Sequence, residues 1–392
     1  MDLHALLHRA VGLGASDLHL KVGRPPSVRN DGDITPLEEP ALSDADLVEA
    51  LRVVTALAPQ RFDQFQENGD LDLAYTADGL PRFRVNAFRQ RGSISFAFRV
   101  IPDDVPNFEQ LNLPPAVVRL AEEHRGLVLV TGATGSGKST TLAAVVDHIN
   151  RTRPSHIVTI EDPIEILHTD RLSIVNQREV GLDTESFHQA LRRALRQDPD
   201  TILIGELRDA ETAQTALQAA ESGHLVLSTM HTVDAAETVG RLVEFFPEAK
   251  QQQIRSILSG VLKGVISQRL LPRESGGRIA AIELMIVNAR IADLIRENRP
   301  EEITDAVAEG DFFDMQTFAQ ALIDLVLRGE VDADVAANAS SNRHDFLVAL
   351  ERSLKLRAAE EEGTSVDAPE PDQASVPASE PELEPQAPLR VA

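Results

Sequence analysis

Gly132-Ala133-Thr134-Gly135-Ser136-Gly137-Lys138-Ser139-Thr140 sets glycines ahead of a lysine and two hydroxyl side chains at the spacing G-x-x-x-x-G-K-[ST]. Glycines let the backbone turn tightly enough for successive N–H groups to face an anion, and a helix starting there adds the positive end of its dipole. Lys138 can then reach the β- and γ-phosphates of a nucleotide, and Ser139 can place its hydroxyl on Mg²⁺. The stretch predicts binding of a nucleoside triphosphate, ATP with Mg²⁺ as the expected pair.

Splitting a phosphate anhydride also needs a carboxylate to orient water, a held metal and cations against developing charge. Three stretches offer them. Glu161-Asp162-Pro163-Ile164-Glu165 is a proline-bounded acidic turn, which alone would read as an ordinary polar loop. Gly205-Glu206-Leu207-Arg208-Asp209 follows an apolar run and resembles a Walker B strand, with Gly205 where many such ATPases carry aspartate. Glu206 would act on the Mg²⁺ shell, through water. Gly223-His224 to His231-Thr232 brackets a third apolar run with two histidines, which read either as core residues or as phosphate sensors.

These groups need strands to carry them. Gly126–Thr131 ahead of the glycine loop is a buried strand by its unbroken apolar run, and Thr141–Val146 after it reads as a helix. Ile157–Ile160, Thr201–Ile204 and Leu225–Ser228 are the other core strands of a parallel sheet, whose ligand crevice lies at the strand ends. Residues 1–100 read as a separate small α+β domain. Leu3, Leu6, Leu7 and Val11 make a helical face. Alternation in Leu18–Val22, Asp70–Tyr75, Phe83–Phe88 and Ile94–Phe98 predicts antiparallel strands, leaving Arg82, Arg84, Arg89 and Arg91 outside. Asn30-Asp31-Gly32-Asp33 is a turn signal. The proline-punctuated residues 101–115 predict a linker and hinge, 116–357 the nucleotide-binding domain with helices from 288 on, and 358–392 a disordered acidic tail rich in proline.

A chain of 392 residues can bury two cores. It has no cysteine, which excludes disulfides and cysteine-held zinc. No apolar run is long enough to span a bilayer, and the first residues lack a signal-peptide pattern, so a cytoplasmic protein is expected. A formal net charge of −24 argues against nucleic acid as a partner.

Taken in order, the glycine loop, Thr159–Glu165, Gly205–Asp209 and Gly223–Thr232 resemble the Walker A, Asp box, Walker B and His box of secretion-type hexameric ATPases. Within these the chain is similar to the type IV pilus retraction ATPases. Gly14–Leu20, Phe83–Asn86, Arg196–Asp200 and Met315–Phe318 add to the match, which covers residues 1 to about 355. The resemblance implies an α/β fold: a PAS-like N-terminal domain, a RecA-like domain and a ring of six subunits. It implies Glu165 as general base, Glu206 assisting Mg²⁺, and His224 and His231 coupling the γ-phosphate to domain position. Arg84 and Arg99 would be arginine fingers offered across a subunit interface. The implied partners are an inner-membrane platform protein and the pilus base, with the ring peripheral to the membrane.

One helix departs from the family. Leu294-Ile295-Arg296-Glu297 match the retraction-associated helix, whereas Arg290, Ala292 and Asp293 replace its usual Ala, Arg and Asn. The rival readings are a pilus-assembly or type II secretion ATPase, a DNA-translocating RecA-like motor, and a nucleotide-gated scaffold that does not hydrolyse. Assembly ATPases usually carry an extra N-terminal domain and a four-cysteine zinc module, and neither is expected here.

Overall fold

Two sheets organise the chain. The computed structural model describes residues 1–363 apart from 31 and 102–104. The first sheet has six strands: β1 (Asp17–Lys21), β2 (Ser27–Asn30), β3 (Asp33–Pro36), β4 (Asp70–Tyr75), β5 (Phe83–Gln90) and β6 (Ser93–Val100). They run in the order β3-β2-β1-β6-β5-β4, every neighbouring pair antiparallel. Inward residues such as Leu18, Leu20, Phe83, Val85, Phe96 and Phe98 bury against helices Leu3–Gly12, Asp44–Val54 and Pro59–Asn68. The second and third of these helices carry no long apolar run. The second is set by the capping box of Ser43 with Asp46, and the third by Pro59 at its first turn and Gly69 in the left-handed region after it.

The second sheet is RecA-like: β7 (Gly126–Thr131), β8 (His156–Glu161), β9 (Ile174–Glu179), β10 (Thr201–Ile204), β11 (Leu225–Met230), β12 (Leu262–Pro272) and β13 (Arg278–Ile286). The order is β13-β12-β7-β11-β10-β8-β9, with β13 alone antiparallel to its neighbour. Period-two side-chain alternation sends Leu127, Leu129, Ile202, Ile204 and Val226 to one core and Val128, Val130, Leu203, Leu225 and Leu227 to the other. Both faces are therefore covered, which is why β7, β10 and β11 read as unbroken apolar runs.

Two further strands, β12 and β13, extend the sheet between the parallel core and the helices expected from 288 on. The β12–β13 hairpin turns through Gly276 and Gly277, both at positive φ, and carries its own core with Phe318, Leu322 and Leu350 from the C-terminal helices. Strand β9 had no sequence signal, because an edge strand reading Ile-Val-Asn-Gln-Arg-Glu buries only its last residue. Phe108 and Leu113 of the connector pack on the RecA-like core, so this part of the expected hinge is anchored, and residues 102–104 of it lie outside the described residues. The last helix, Arg343–Gly363, runs past 357 through Ala358, Ala359 and three glutamates, all strong helix formers. The remainder of the expected acidic tail lies outside the described residues, as does Asp31 of the expected turn.

Candidate nucleotide site

Four parallel strands end at one edge of the second sheet, and each delivers one of the expected motifs. β7 runs into the glycine loop and then helix Lys138–Thr152. Gly132 sits at φ 141°, and a Cβ there would lie 2.4 Å from the carbonyl oxygen of Gln268. Gly137 sits at φ 93°, with Gln268 Nε2 at 2.9 Å from where a Cβ would stand. These two glycines let the loop close against β12, and Gln268 Nε2 donates to the Ser136 carbonyl at 2.6 Å to hold it there. Ala133, Thr134 and Gly135 form the exposed crest; Ser139 is exposed and Thr140 partly so at the start of the helix. Lys138 Nζ donates to the carbonyls of Gly132 (2.8 Å) and Ala133 (3.0 Å). Burial pulls its pKa down, opposed by the negative charges of Glu206 and Glu165.

β8 delivers Glu161 beside Gly205 of the neighbouring strand. Gly205 N–H donates to the Ile160 carbonyl at 2.8 Å, and a Cβ on Gly205 would approach that oxygen to 3.3 Å and Glu161 Cα to 3.5 Å. A side chain at 205 would crowd that oxygen by a few tenths of an ångström, and Glu161 supplies the carboxylate at the neighbouring strand end. Burial drives the Glu161 carboxyl up, against hydrogen bonds from Thr159 Oγ1 (2.7 Å) and Gln177 Nε2 (3.1 Å). Ser139, Glu161, Glu165, His168, Gly205 and Thr229 line one cleft.

Glu206 follows on the β10 loop, which Thr229 fixes by donating to the Gly205 carbonyl at 2.7 Å. Burial opposes ionisation of Glu206. Arg208 at 2.7 Å and His231 at 3.3 Å outweigh it and hold the carboxyl below its usual range, so Glu206 is an anion at neutral pH. Oxygen donors are what Mg²⁺ takes, and it keeps several waters and phosphate oxygens in its shell. Ser139, Glu161 and Glu165 on the cleft wall and the ionised Glu206 on the neighbouring loop are oxygen donors of the kind the ion takes.

The two histidines part company. His231 follows β11 at the glycine-loop end, where Met230 pairs with Thr131. His224 precedes β11 at the far end, where its carbonyl accepts from Gly126 N–H and its ring meets Ser222 Oγ at 3.1 Å. The strand between them alone spans about 17 Å. His224 cannot touch a phosphate in its own subunit's loop, so of the two expected histidines only His231 stands at the glycine-loop end.

The arginines also differ from expectation. Arg84 Nη1 lies 3.5 Å from Glu165 Oε1 of the same chain, so it reaches the cleft without crossing a subunit boundary. Arg99, directly opposite Arg84 and so on the same face of the sheet, pairs with Asp17 at 3.0 Å and not with a cleft residue. Arg82 is not left outside: its guanidinium is buried against Glu179 at 2.5 Å, joining the two domains. Gln268, Gln177 and Glu179 were missed by sequence reading and had no local signal there. Arg208 was visible only as part of its motif.

A family model described as type II/IV secretion system protein matches residues 1–332. The type IV pilus retraction ATPase PilT of Pseudomonas aeruginosa is 45% identical over 346 residues, 88% of this chain and 100% of that protein. The type IV pilus ATPase PilU of the same organism is 41% identical over 343 residues, 87% of this chain and 89% of that one. A crystal structure of the pilus retraction motor PilT with bound ADP is similar at a TM-score of 0.82 and 46% identity, covering 88% of this chain and 98% of that one. The Legionella pneumophila ATPase DotB follows at 0.76 and 29% identity, covering 85% and 93%. With the strand-end motifs in place and a match over most of its length, the chain belongs to the type II/IV secretion system protein family.

Proposed function

We propose that the chain is an ATP-hydrolysing motor, working as a ring of six, that powers type IV pilus retraction. The observation that carries this reading is the meeting of the glycine loop, Glu161, Glu165, Glu206 and His231 at one sheet edge, in a chain 45% identical to a retraction ATPase. The glycine-loop amides and Lys138 bind the phosphates, Lys138 exchanging its two loop carbonyls for phosphate oxygens. Ser139 and Glu206 would hold Mg²⁺, which neutralises charge on the β- and γ-phosphate oxygens. Glu165 accepts the proton of the attacking water and His231 senses the γ-phosphate beside Glu206. Arg84 serves its own subunit from the N-terminal domain, a guanidinium suited to pairing with phosphate oxygens. Closing and opening of that domain over the cleft converts turnover into movement. The ring would bear on an inner-membrane platform protein from the cytoplasmic face. Among the described residues no helix is long and apolar enough to cross a membrane.

Glu206→Gln tests the reading. The purified variant should keep ATP binding while phosphate release falls to background. Cells carrying it in place of the wild type should accumulate surface fibres without twitching. Hydrolysis at the wild-type rate would remove Glu206 from its role, and normal twitching would remove the motor assignment.

A further inference from the structure

Glu179 ends β9 with its side chain almost wholly enclosed, yet it belongs to none of the four motifs. One of its oxygens, Oε2, takes two donors from different parts of the molecule. Arg82 Nη2 arrives from the N-terminal domain at 2.5 Å, and the backbone N–H of Ile164 from the acidic loop at 3.1 Å. Ile164 immediately precedes Glu165. The surroundings of Glu179 are stiff: its own N–H donates to Asp183 Oδ2 at 2.8 Å, and the next residue's N–H donates to the Glu161 carbonyl at 2.8 Å. The N-terminal domain grips the same corner a second time. Arg61 lies over Gly181, so closely that a Cβ there would stand 2.3 Å from its Nη2.

We propose that Glu179 is a positioning residue, tying Arg82 of the N-terminal domain to the Ile164 amide so that the angle between the domains sets where Glu165 stands. This rests on the reading of Glu165 as the general base. The geometry separates a fixed point from a moving one. Arg82 pairs through its carbonyl with Ile101 N–H (2.8 Å), at the foot of the connector, where rotation displaces it least. Arg84 lies two residues further along on the same face of β5, and its pair with Glu165 is 3.5 Å long with both side chains 41% exposed. A buried charge pair resists breaking because the remaining partner is left uncompensated, whereas an exposed pair exchanges readily with water. The Arg82–Glu179 pair thus acts as the pivot, and Arg84 swings over the base.

The test uses the full-length chain with Arg82→Gln, Arg82→Lys, Glu179→Gln and the double variant Arg82→Gln/Glu179→Gln. Phosphate release and binding of a fluorescent ADP analogue are read in parallel. Arg82→Gln should lower kcat about ten- to a hundredfold, the scale of a misplaced catalytic group, with ADP-analogue affinity within about twofold of wild type. Arg82→Lys should retain most of kcat, and the double variant should be no worse than its worse parent. Domain glue without a positioning role would change melting temperature and leave kcat alone. If Glu179→Gln fails to fold, Arg82→Gln decides, since its side chain sits on the rim of the N-terminal sheet. An unchanged kcat, a parallel loss of ADP-analogue affinity, or multiplying effects in the double variant would each overturn the tie. A wild type whose hydrolysis ignores Glu165→Gln would instead sink the functional reading, and the tie with it.

Discussion

His168 lies on the wall of the nucleotide cleft, where burial drives its pKa down to about 4 against a weaker pull from Asp147. The unfolded chain binds a proton there near pH 6.5 that the folded chain refuses until about pH 4. Stability therefore rises with pH through this window and is lost on acidification. Glu283 works in the opposite sense. Burial lifts it to about 7 even though Oε1 accepts from Ala235 N–H at 2.8 Å, so it disfavours the fold as pH rises. Comparison with His168→Gln isolates the histidine. Between pH 7.5 and 5.5 the wild type should lose about 1.3 kcal/mol more stability than the variant, read from urea midpoints. Identical pH dependence in the two proteins would show that the ring protonates in the fold.

At the scale of elements, the glycine loop owes its shape to β12 as much as to its own residues. Gly132 and Gly137 both pack against Gln268, and Gln268 in turn holds the Ser136 carbonyl. Gly132→Ala should abolish ADP binding, because the new Cβ meets a backbone oxygen that cannot move aside and the left-handed φ adds strain. Gln268→Ala leaves the fold intact and removes only the brace. Loss of one buried hydrogen bond of about 1–1.5 kcal/mol predicts roughly tenfold weaker ADP binding by calorimetry. Wild-type affinity in Gln268→Ala would show that the loop holds its form unaided.

For the whole molecule, the decisive relation is between the two sheets. Arg84 approaches its own Glu165, which predicts that the arginine and the glycine loop it serves belong to one subunit. Mixing Arg84→Ala subunits with Lys138→Ala subunits should therefore recover no phosphate release, since neither carries a complete site. Recovery would place the arginine across a subunit boundary. The connector is tied into the same frame, with Phe108 and Leu113 anchored on the RecA-like core.

Period and glycine placement made the parallel core, the glycine loop and the order of the motifs legible in the amino-acid sequence, because those features are properties of consecutive residues. Ile157–Ile160, Thr201–Ile204 and Leu225–Ser228 all lie in strands, and the carboxylates follow them as the pattern required. Pairings between distant residues were not legible. Gln268 meets Ser136 across 132 positions, Arg82 meets Glu179 across 97 and Arg84 meets Glu165 across 81. No local pattern marks such contacts, and a polar edge strand like β9 has too little buried face to announce itself. His224 shows the same limit in reverse. Seven positions from His231 it looked like a partner, but an extended strand keeps its two ends apart, and only the folded sheet shows which end holds the phosphate.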